Sequence, residues 1–458
     1  MAKSILITGA SIVNEGRIFE GDVFVEDGII KEITSSFSPS TEGEGVRGWG
    51  IIDGRGKYLL PGVIDEHVHL REPGLTQKGD IYSETKAAVA GGVTSLMDMP
   101  NTDPKATSID ILEDKFTLAA QRSFTNYSFY LGATNDNISE IEKADPHRIC
   151  GLKVFMGAST GNMLVDDPVS LEKIFERSPL LIAVHTEDES IIRENLRLFR
   201  EKYGEDIPVE AHPLIRNEEA CFTSSEKAVK LALKHDSRLH LLHLSTAKEL
   251  DLLDNSIPLE QKKITGEVCV NHLWFDDRDY KKSGSRIKWN PAIKKESDKK
   301  GLLQGVLDNR IDTIATDHAP HTLGDKQKPY MSCSSGAPLV QHSLVAMLEL
   351  HLRGEIPIEK IVEKMCHGPA ILFRIKERGF IRTGYYADIV LVDLQAPWEV
   401  NSSNILYKCG WSPMEGQVFS SRVTHTIVNG NIVYENGIFN ETVRGARLKF
   451  NPDSYFSK

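Results

Sequence analysis

Val63-Ile64-Asp65-Glu66-His67-Val68-His69-Leu70-Arg71 decides the architecture. The run has strand length, and its two histidines lie two residues apart, so on a strand His67 and His69 project to the same side. They close the run, at the C-terminal end of the strand, and in parallel barrels that is the end where reactive groups collect. Two imidazoles on one face can hold one divalent metal, whereas an isolated His-x-His is as readily two polar residues on a half-exposed strand.

Outward from this stretch, between about Tyr58 and Arg374, short apolar runs alternate with amphipathic segments of helix length. The further runs are GVTSLMDMP (92–100), YSFYLGA (127–133), CGLKVFMG (150–157), LLIAVHTED (180–188), RLHLLHLST (238–246), ITGEVCV (264–270) and IDTIATDHAP (311–320). Strand–helix alternation favours a parallel α/β barrel, with an open doubly wound sheet as the competing arrangement. Neither G-x-G-x-x-G at a strand–helix turn nor G-x-x-x-x-G-K-[ST] is found, which weakens nucleotide-binding versions of that sheet.

Both ends of the chain read differently. Ile5 and Ile7, Ile12 and Val13, Val23 and Val25, then Ile29, Ile30 and Ile33 are separated by Asn-Glu-Gly, Glu-Gly-Asp and Glu-Asp-Gly, the texture of short antiparallel strands. The same texture returns in Ala387–Asp393 and Thr424–Tyr434, where Asn429-Gly430 marks a hairpin. Two strand-rich ends, 1–57 and 375–458, around a long middle, 58–374, suggest one discontinuous β domain made when both termini pair.

His67 and His69 gain meaning from repetition. His185 ends Leu180–Val184, His243 ends Leu239–Leu242, Asp317 ends Ile311–Thr316, and Lys153 lies inside Ile149–Phe155. Burying each of these unpaired is costly, and a shared ligand that satisfies them together costs less. A metal centre fits. Lys153 is the odd member, since an ammonium repels a cation; it is either a salt-bridging or snorkelling lysine, or a neutral amine converted by carbon dioxide into an anionic carbamate.

The chain has 458 residues, enough for a barrel of ~250 residues and a smaller module. Its net charge of −11 opposes nucleic acid or an anionic membrane surface as partner, and an acidic substrate would need local positive charge. Six scattered cysteines (Cys150, Cys221, Cys269, Cys333, Cys366, Cys409) form no C-x-x-C pair and read as reduced thiols. No segment approaches the ~20 apolar residues of a membrane span, and the N-terminal stretch lacks a cleavable apolar leader, so a soluble cytoplasmic protein is expected.

Taken in order, DEHVHLREPG, GGVTSLMDMPNT, GLKVFM, VHTE, LHLST, WNPAI and TDHAPH resemble the dihydroorotase branch of the amidohydrolase superfamily, over about residues 58–340. The resemblance implies a (β/α)8 barrel over 58–374 with a composite β-sandwich from 1–57 and 375–458, and two zinc ions per subunit: His67, His69 and Asp317 on the first, His185 and His243 on the second, with Lys153 as a bridging carboxylated lysine. It implies reversible cyclisation of N-carbamoyl-L-aspartate to L-dihydroorotate in pyrimidine biosynthesis, with Asp317 carrying the proton between water and the ring nitrogen. Asn271-His272 departs from the two histidines that relatives often carry, at positions assigned to no metal. A homodimer is a further implication.

Metal residues do not choose among cyclic amides. Dihydroorotate carries a ring carboxylate that hydantoins, dihydropyrimidines and allantoin lack, and guanidinium forks match carboxylates. Arg71, two residues past His69, is therefore the discriminating residue, against the alternative of a surface arginine paired with Glu72 or Asp80. By resemblance Asn101 and His321 share the carboxylate, and Asn290 with the backbone at Ser335 and Gly336 holds the ring amides. Another cyclic amidase is the near alternative, and a non-catalytic scaffold the distant one. The polar segment 322–336 is either a lid or an ordinary surface loop, and Cys333 within it a passive thiol.

Overall fold

In the computed structural model, which describes residues 4–35, 50–157 and 163–452, each of the eight apolar runs becomes a parallel strand. These are β1 (Val63–Val68), β2 (Val93–Asp98), β3 (Asn126–Phe129, continued by Leu131–Gly132), β4 (Leu152–Phe155), β5 (Ile182–His185), β6 (Leu239–Leu241), β7 (Ile264–Cys269) and β8 (Thr313–Ala315). One ladder joins β1, β2 and the first half of β3; a second runs from the other half of β3 through β4, β5, β6 and β7 to β8.

The last strand returns to the first. Val68 and His318 form a parallel bridge, and the His69 N–H donates to the His318 carbonyl at 2.7 Å. Asp65 reinforces this seam: its carboxylate accepts the backbone N–H groups of His67 and Thr316, both at 3.2 Å, and the Thr316 hydroxyl at 2.6 Å. A barrel requires that return, and an open doubly wound sheet does not allow it. Helices occupy the connections, several of them begun by a side-chain cap: Asp80 before Ile81–Ala90, Ser108 before Ile109–Arg122, Asp167 before Pro168–Arg177 and Asp188 before Glu189–Tyr203.

The two ends of the chain meet in one nine-stranded sheet. N-terminal strands Ser4–Asn14, Arg17–Glu26, Ile29–Thr34 and Gly50–Asp53 join Tyr58–Pro61, which pairs with C-terminal Ile389–Asp393, followed by Arg422–Val428, Asn431–Glu435 and Ile438–Phe439. Tyr58–Pro61, just past the expected 57/58 boundary, thus pairs in the terminal sheet, and β1 starts at Val63. Period-two alternation gives this sheet two apolar faces: Ile389 and Leu391 pack with Ile5, Ile12 and Val23, while Val390 and Val392 join the barrel core. Asn429 and Gly430 have φ of 50° and 69°, both positive as a two-residue hairpin turn of this kind needs.

One sequence expectation fails here. Glu20-Gly21-Asp22 is not a turn; the strand Arg17–Glu26 runs through it. Gly21 serves close packing instead, since a Cβ there would stand 2.9 Å from the Thr34 carbonyl oxygen.

Because Asp65 accepts two hydrogen bonds from Thr316 across the β1–β8 seam and a third from His67 within β1, Asp65→Ala is expected to lower unfolding free energy by about 2–4 kcal/mol. Denaturant unfolding measures it, and an unchanged midpoint would show that the seam does not depend on this carboxylate.

Candidate active site and metal centre

The strand ends deliver the expected residues to one place. His67, His69, Lys153, His185, His243 and Asp317 all line a cavity of about 230 Å³. The same cavity is lined by Arg71, Asn101, Asn290, His321, Ser335 and Gly336. The His67 and His69 rings, projected to one side by their two-residue spacing, have centroids 5.7 Å apart; His67 and His243 are 5.2 Å apart, and His185 and His243 4.5 Å. Asp317 Oδ1 is 3.4 Å from His67 Nε2 and 3.2 Å from His69 Nε2. One donor atom from each of His67, His69 and Asp317 falls within 4.8 Å of the others.

Three of the imidazoles are oriented by a partner on their far nitrogen. His67 Nδ1–H donates to Glu267 Oε1 at 2.8 Å, His69 Nδ1–H to Asn101 Oδ1 at 2.7 Å, and His185 Nε2–H to Glu187 Oε2 at 2.8 Å. Each bond fixes a tautomer whose other nitrogen carries a lone pair, the arrangement that supports a metal-ligating histidine. Burial lowers His69 to about 4, and lowers His185 and His243 as well, so these rings are neutral ligand donors near pH 7. Burial alone would raise the Asp317 carboxyl, but His67, His69 and Lys153 outweigh it and hold it below the usual carboxylate range. Lys153 is 1% exposed, and burial lowers its amine to about 7, which leaves a large share neutral at physiological pH. Neutral imidazoles, one carboxylate and a half-neutral amine around one cavity are a donor set suited to divalent metal.

Three of these residues carry backbone that side chains rarely adopt. Arg71, His243 and Asp317 have φ of 67°, 39° and 46°. Non-glycine residues in that region are strained, and such strain concentrates where a side chain must be aimed.

Arg71 is not a surface arginine. It is 6% exposed, and neither suggested carboxylate holds it: Glu72 pairs with Arg122, and Asp80 with Lys408 at 2.6 Å. Its Nε donates to the Pro320 carbonyl at 3.0 Å and its Nη2 to His321 Nε2 at 3.2 Å; among the described residues it makes no ion pair. Burial lowers it to about 10, so it remains a cation at neutral pH. Asn101, having given Oδ1 to His69, keeps its amide N–H groups for a ligand. Asn290 Oδ1 is buried without a hydrogen-bond partner in the described structure. Gly336 is committed elsewhere: its N–H donates to the Lys288 carbonyl at 2.8 Å and its own carbonyl accepts from Lys326 Nζ at 2.8 Å. Ser335 has no hydrogen bond among the described residues and is the backbone left to meet a ligand.

Residues 58–433 match the model of the amidohydrolase family. The chain belongs to the amidohydrolase family. Among curated relatives, this amidohydrolase is 34% identical to dihydroorotase of Pyrococcus abyssi (strain GE5 / Orsay), over 97% of this chain and 98% of that one. It is 30% identical to dihydroorotase of Thermococcus kodakarensis, over 97% and 98%. Among solved structures, L-hydantoinase (dihydropyrimidinase) from Arthrobacter aurescens superposes with a TM-score of 0.91 at 27% identity, covering 98% of this chain and 100% of that chain.

Several groups that build this amidohydrolase site were not legible as functional. Glu267, two hundred residues from His67, orients that ring and also accepts the His243 backbone N–H at 2.9 Å. Glu187, held by Arg216 through two bonds of 2.8 and 2.7 Å, orients His185, and its place two residues after His185 in VHTE was a usable signal. Lys78 lines the cavity and adds a second cation to the Arg71 wall. Asn271 and His272 stand outside the cavity lining, His272 Nε2 donating to the Pro291 carbonyl at 3.2 Å. Cys333 is buried, its thiol donating to the Lys326 carbonyl at 3.4 Å, as a passive thiol does.

Glu267→Gln keeps the volume but removes the carboxylate behind His67, and metal affinity is expected to fall about 10–100-fold. Titration of metal into chelator-stripped protein reads it; wild-type affinity would mean that Glu267 does not tune the ligand.

Proposed function

We propose that this amidohydrolase is a dihydroorotase, interconverting N-carbamoyl-L-aspartate and L-dihydroorotate. The observation that carries the proposal is Arg71: a buried guanidinium without a carboxylate partner, on the wall of the cavity that holds the histidine cluster. A buried cation in that state is stabilised by an anion delivered with the substrate. Lys78 on the same wall suits a substrate whose open form is a dianion, in a chain whose net charge is otherwise −11. Relatives named dihydroorotase at up to 34% identity support the same reading.

The proposed metal centre is a pair of zinc ions, His67, His69 and Asp317 holding one and His185 and His243 the other. Lys153, as a carboxylated lysine, would supply oxygen ligands to them, and its buried, readily neutral amine favours addition of carbon dioxide. When bound, the ions supply Lewis acidity at the amide carbonyl and acidify water. Asp317 takes the proton released by the attacking water and hands it to the departing ring nitrogen. In the cyclising direction it takes a proton from the carbamoyl nitrogen. Arg71, Asn101 and His321 hold the substrate carboxylate, and Asn290 with Ser335 orients the ring amides. Gly336 contributes space: its φ is 114°, and a Cβ there would stand 2.8 Å from the Ala319 carbonyl oxygen.

The same proposal places the protein in the cytoplasm, takes residues 1–57 and 375–458 as one unit beside the barrel, and takes the chain as a homodimer on the resemblance alone. Its six cysteines are unpaired, as a reducing compartment keeps them, and no helix among the described residues is long and apolar enough to cross a membrane. The second reading, a hydantoinase or dihydropyrimidinase, is favoured by the superposition on L-hydantoinase. A non-catalytic scaffold loses support because all six proposed ligand residues line one cavity.

A panel of dihydroorotate, dihydrouracil, hydantoin and allantoin tests the assignment; turnover of the uncharged rings without dihydroorotate would overturn it. Arg71→Met is expected to cost about 2–5 kcal/mol in kcat/KM for dihydroorotate. An unchanged kcat/KM in the variant would remove the carboxylate contact. Asp317→Asn is expected to reduce turnover about a hundred- to ten-thousand-fold, read in protein shown by analysis to carry metal. Near wild-type turnover there would assign the proton to another group.

A further inference from the structure

The segment 322–336 follows β8 and ends at the backbone that meets the substrate, yet it is fastened from behind by two buried amines. Lys326, on the short helix Leu323–Lys326, is 1% exposed, and its Nζ donates to three carbonyls: Gly336 at 2.8 Å, Ser334 at 2.9 Å and Lys288 at 3.1 Å. Lys288, 6% exposed, donates its Nζ to the carbonyls of Cys333 at 2.6 Å and Tyr330 at 2.8 Å. The Gly336 N–H returns to the Lys288 carbonyl at 2.8 Å, and the segment's start is held by the Thr322 hydroxyl and the Asp325 carboxylate at 2.8 Å. Tyr330 is tied further to the barrel through its hydroxyl, 2.9 Å from His212 Nδ1.

Neither lysine has a carboxylate partner within ion-pair distance among the described residues. Five carbonyl oxygens therefore converge on two lysine amines, and each carbonyl so held fixes one peptide plane. The peptide planes on both sides of Ser335 are fixed, the one before it by Lys326 Nζ on the Ser334 carbonyl and the one after it by the Gly336 N–H on the Lys288 carbonyl. A solvent-exposed loop would gain nothing from two desolvated lysines. A loop that must present one peptide in one orientation does.

We propose that Lys326, supported by Lys288, is a positioning residue for substrate binding: it locks the Ser334–Gly336 backbone so that Ser335 presents its peptide groups to the ring amides, and the segment is a fixed wall of the site rather than a lid. This rests on the cyclic amide reading above. Loss of the lock releases the peptide without touching the metal residues or Asp317, so ground-state binding suffers more than the chemical step.

Lys326→Met in the full-length, metal-loaded protein is the test, with steady-state kinetics on dihydroorotate and metal content read together. KM is expected to rise roughly tenfold or more while kcat changes about threefold or less, with metal content unchanged. Limited proteolysis adds a second readout, with cleavage within 322–336 appearing in the variant and suppressed by saturating dihydroorotate. A folded, metal-loaded variant with wild-type KM overturns the proposal, as does loss confined to kcat. If Lys326→Met fails to fold, Lys288→Met carries the same expectation in the same assays, and unchanged KM there overturns it equally. Wild-type protein that turns over hydantoin or dihydrouracil but not dihydroorotate sinks the dihydroorotase reading instead, and the KM-against-kcat comparison is then read on the amide it accepts.

Discussion

An imidazole has two nitrogens, and at the mouth of this barrel the protein commits one of them in each of three rings. Glu267, Asn101 and Glu187 take the far nitrogens of His67, His69 and His185. What remains is a set of lone pairs facing a common space, and burial keeps the His69 and His185 rings from escaping into the charged state. The constraint runs in both directions. Without something positive to accept the lone pairs, the buried rings and the Asp317 carboxylate are a net loss; without the carboxylates behind them, the rings have no fixed tautomer.

That arrangement demands a scaffold with little play. Residues from β1, β4, β5, β6 and β8 must converge, so the register around the barrel is a condition of the site rather than its background. Asp65 meets this need at the seam. It stands two residues before His67 on the same face of β1 and ties that strand to Thr316, the neighbour of Asp317. One carboxylate therefore sets the relative height of two cavity-lining side chains, His67 and Asp317. A second, Asp98, does comparable work from β2: it accepts the Leu70 N–H at 2.7 Å, beside Arg71, and is itself held by the buried Lys115 at 2.7 Å.

All eight barrel strands were legible in the sequence because each is a short apolar run that ends in chemistry, and that pattern is local. The residues that line the cavity at those strand ends were legible for the same reason. What pairs across the barrel was not. Glu267 is separated from His67 by two hundred positions and Asp65 from Thr316 by 251, and only strand register brings them together. Glu20-Gly21-Asp22 misled because glycine between acidic residues signals a turn, while here glycine answers to a neighbouring carbonyl that leaves no room for a Cβ. The positive φ of Arg71, His243 and Asp317 has no signature in composition or spacing.

Buried cations divide into two kinds in this protein, and the division argues for the substrate. Lys115, Lys262, Arg216 and Arg378 each meet a carboxylate, so their burial is balanced within the fold. Arg71, Lys288 and Lys326 do not. They hydrogen-bond to carbonyls and, in Arg71, an imidazole, and they lie on or directly behind the cavity wall. Carbonyl dipoles stabilise a buried cation less than a carboxylate does, so Arg71, which stays charged at neutral pH, is left uncompensated on the cavity wall. Stability alone would have placed an aspartate or glutamate beside each of them. A carboxylate there would compete with an incoming anion for Arg71, and the cavity would lose its preference for a ring that carries one.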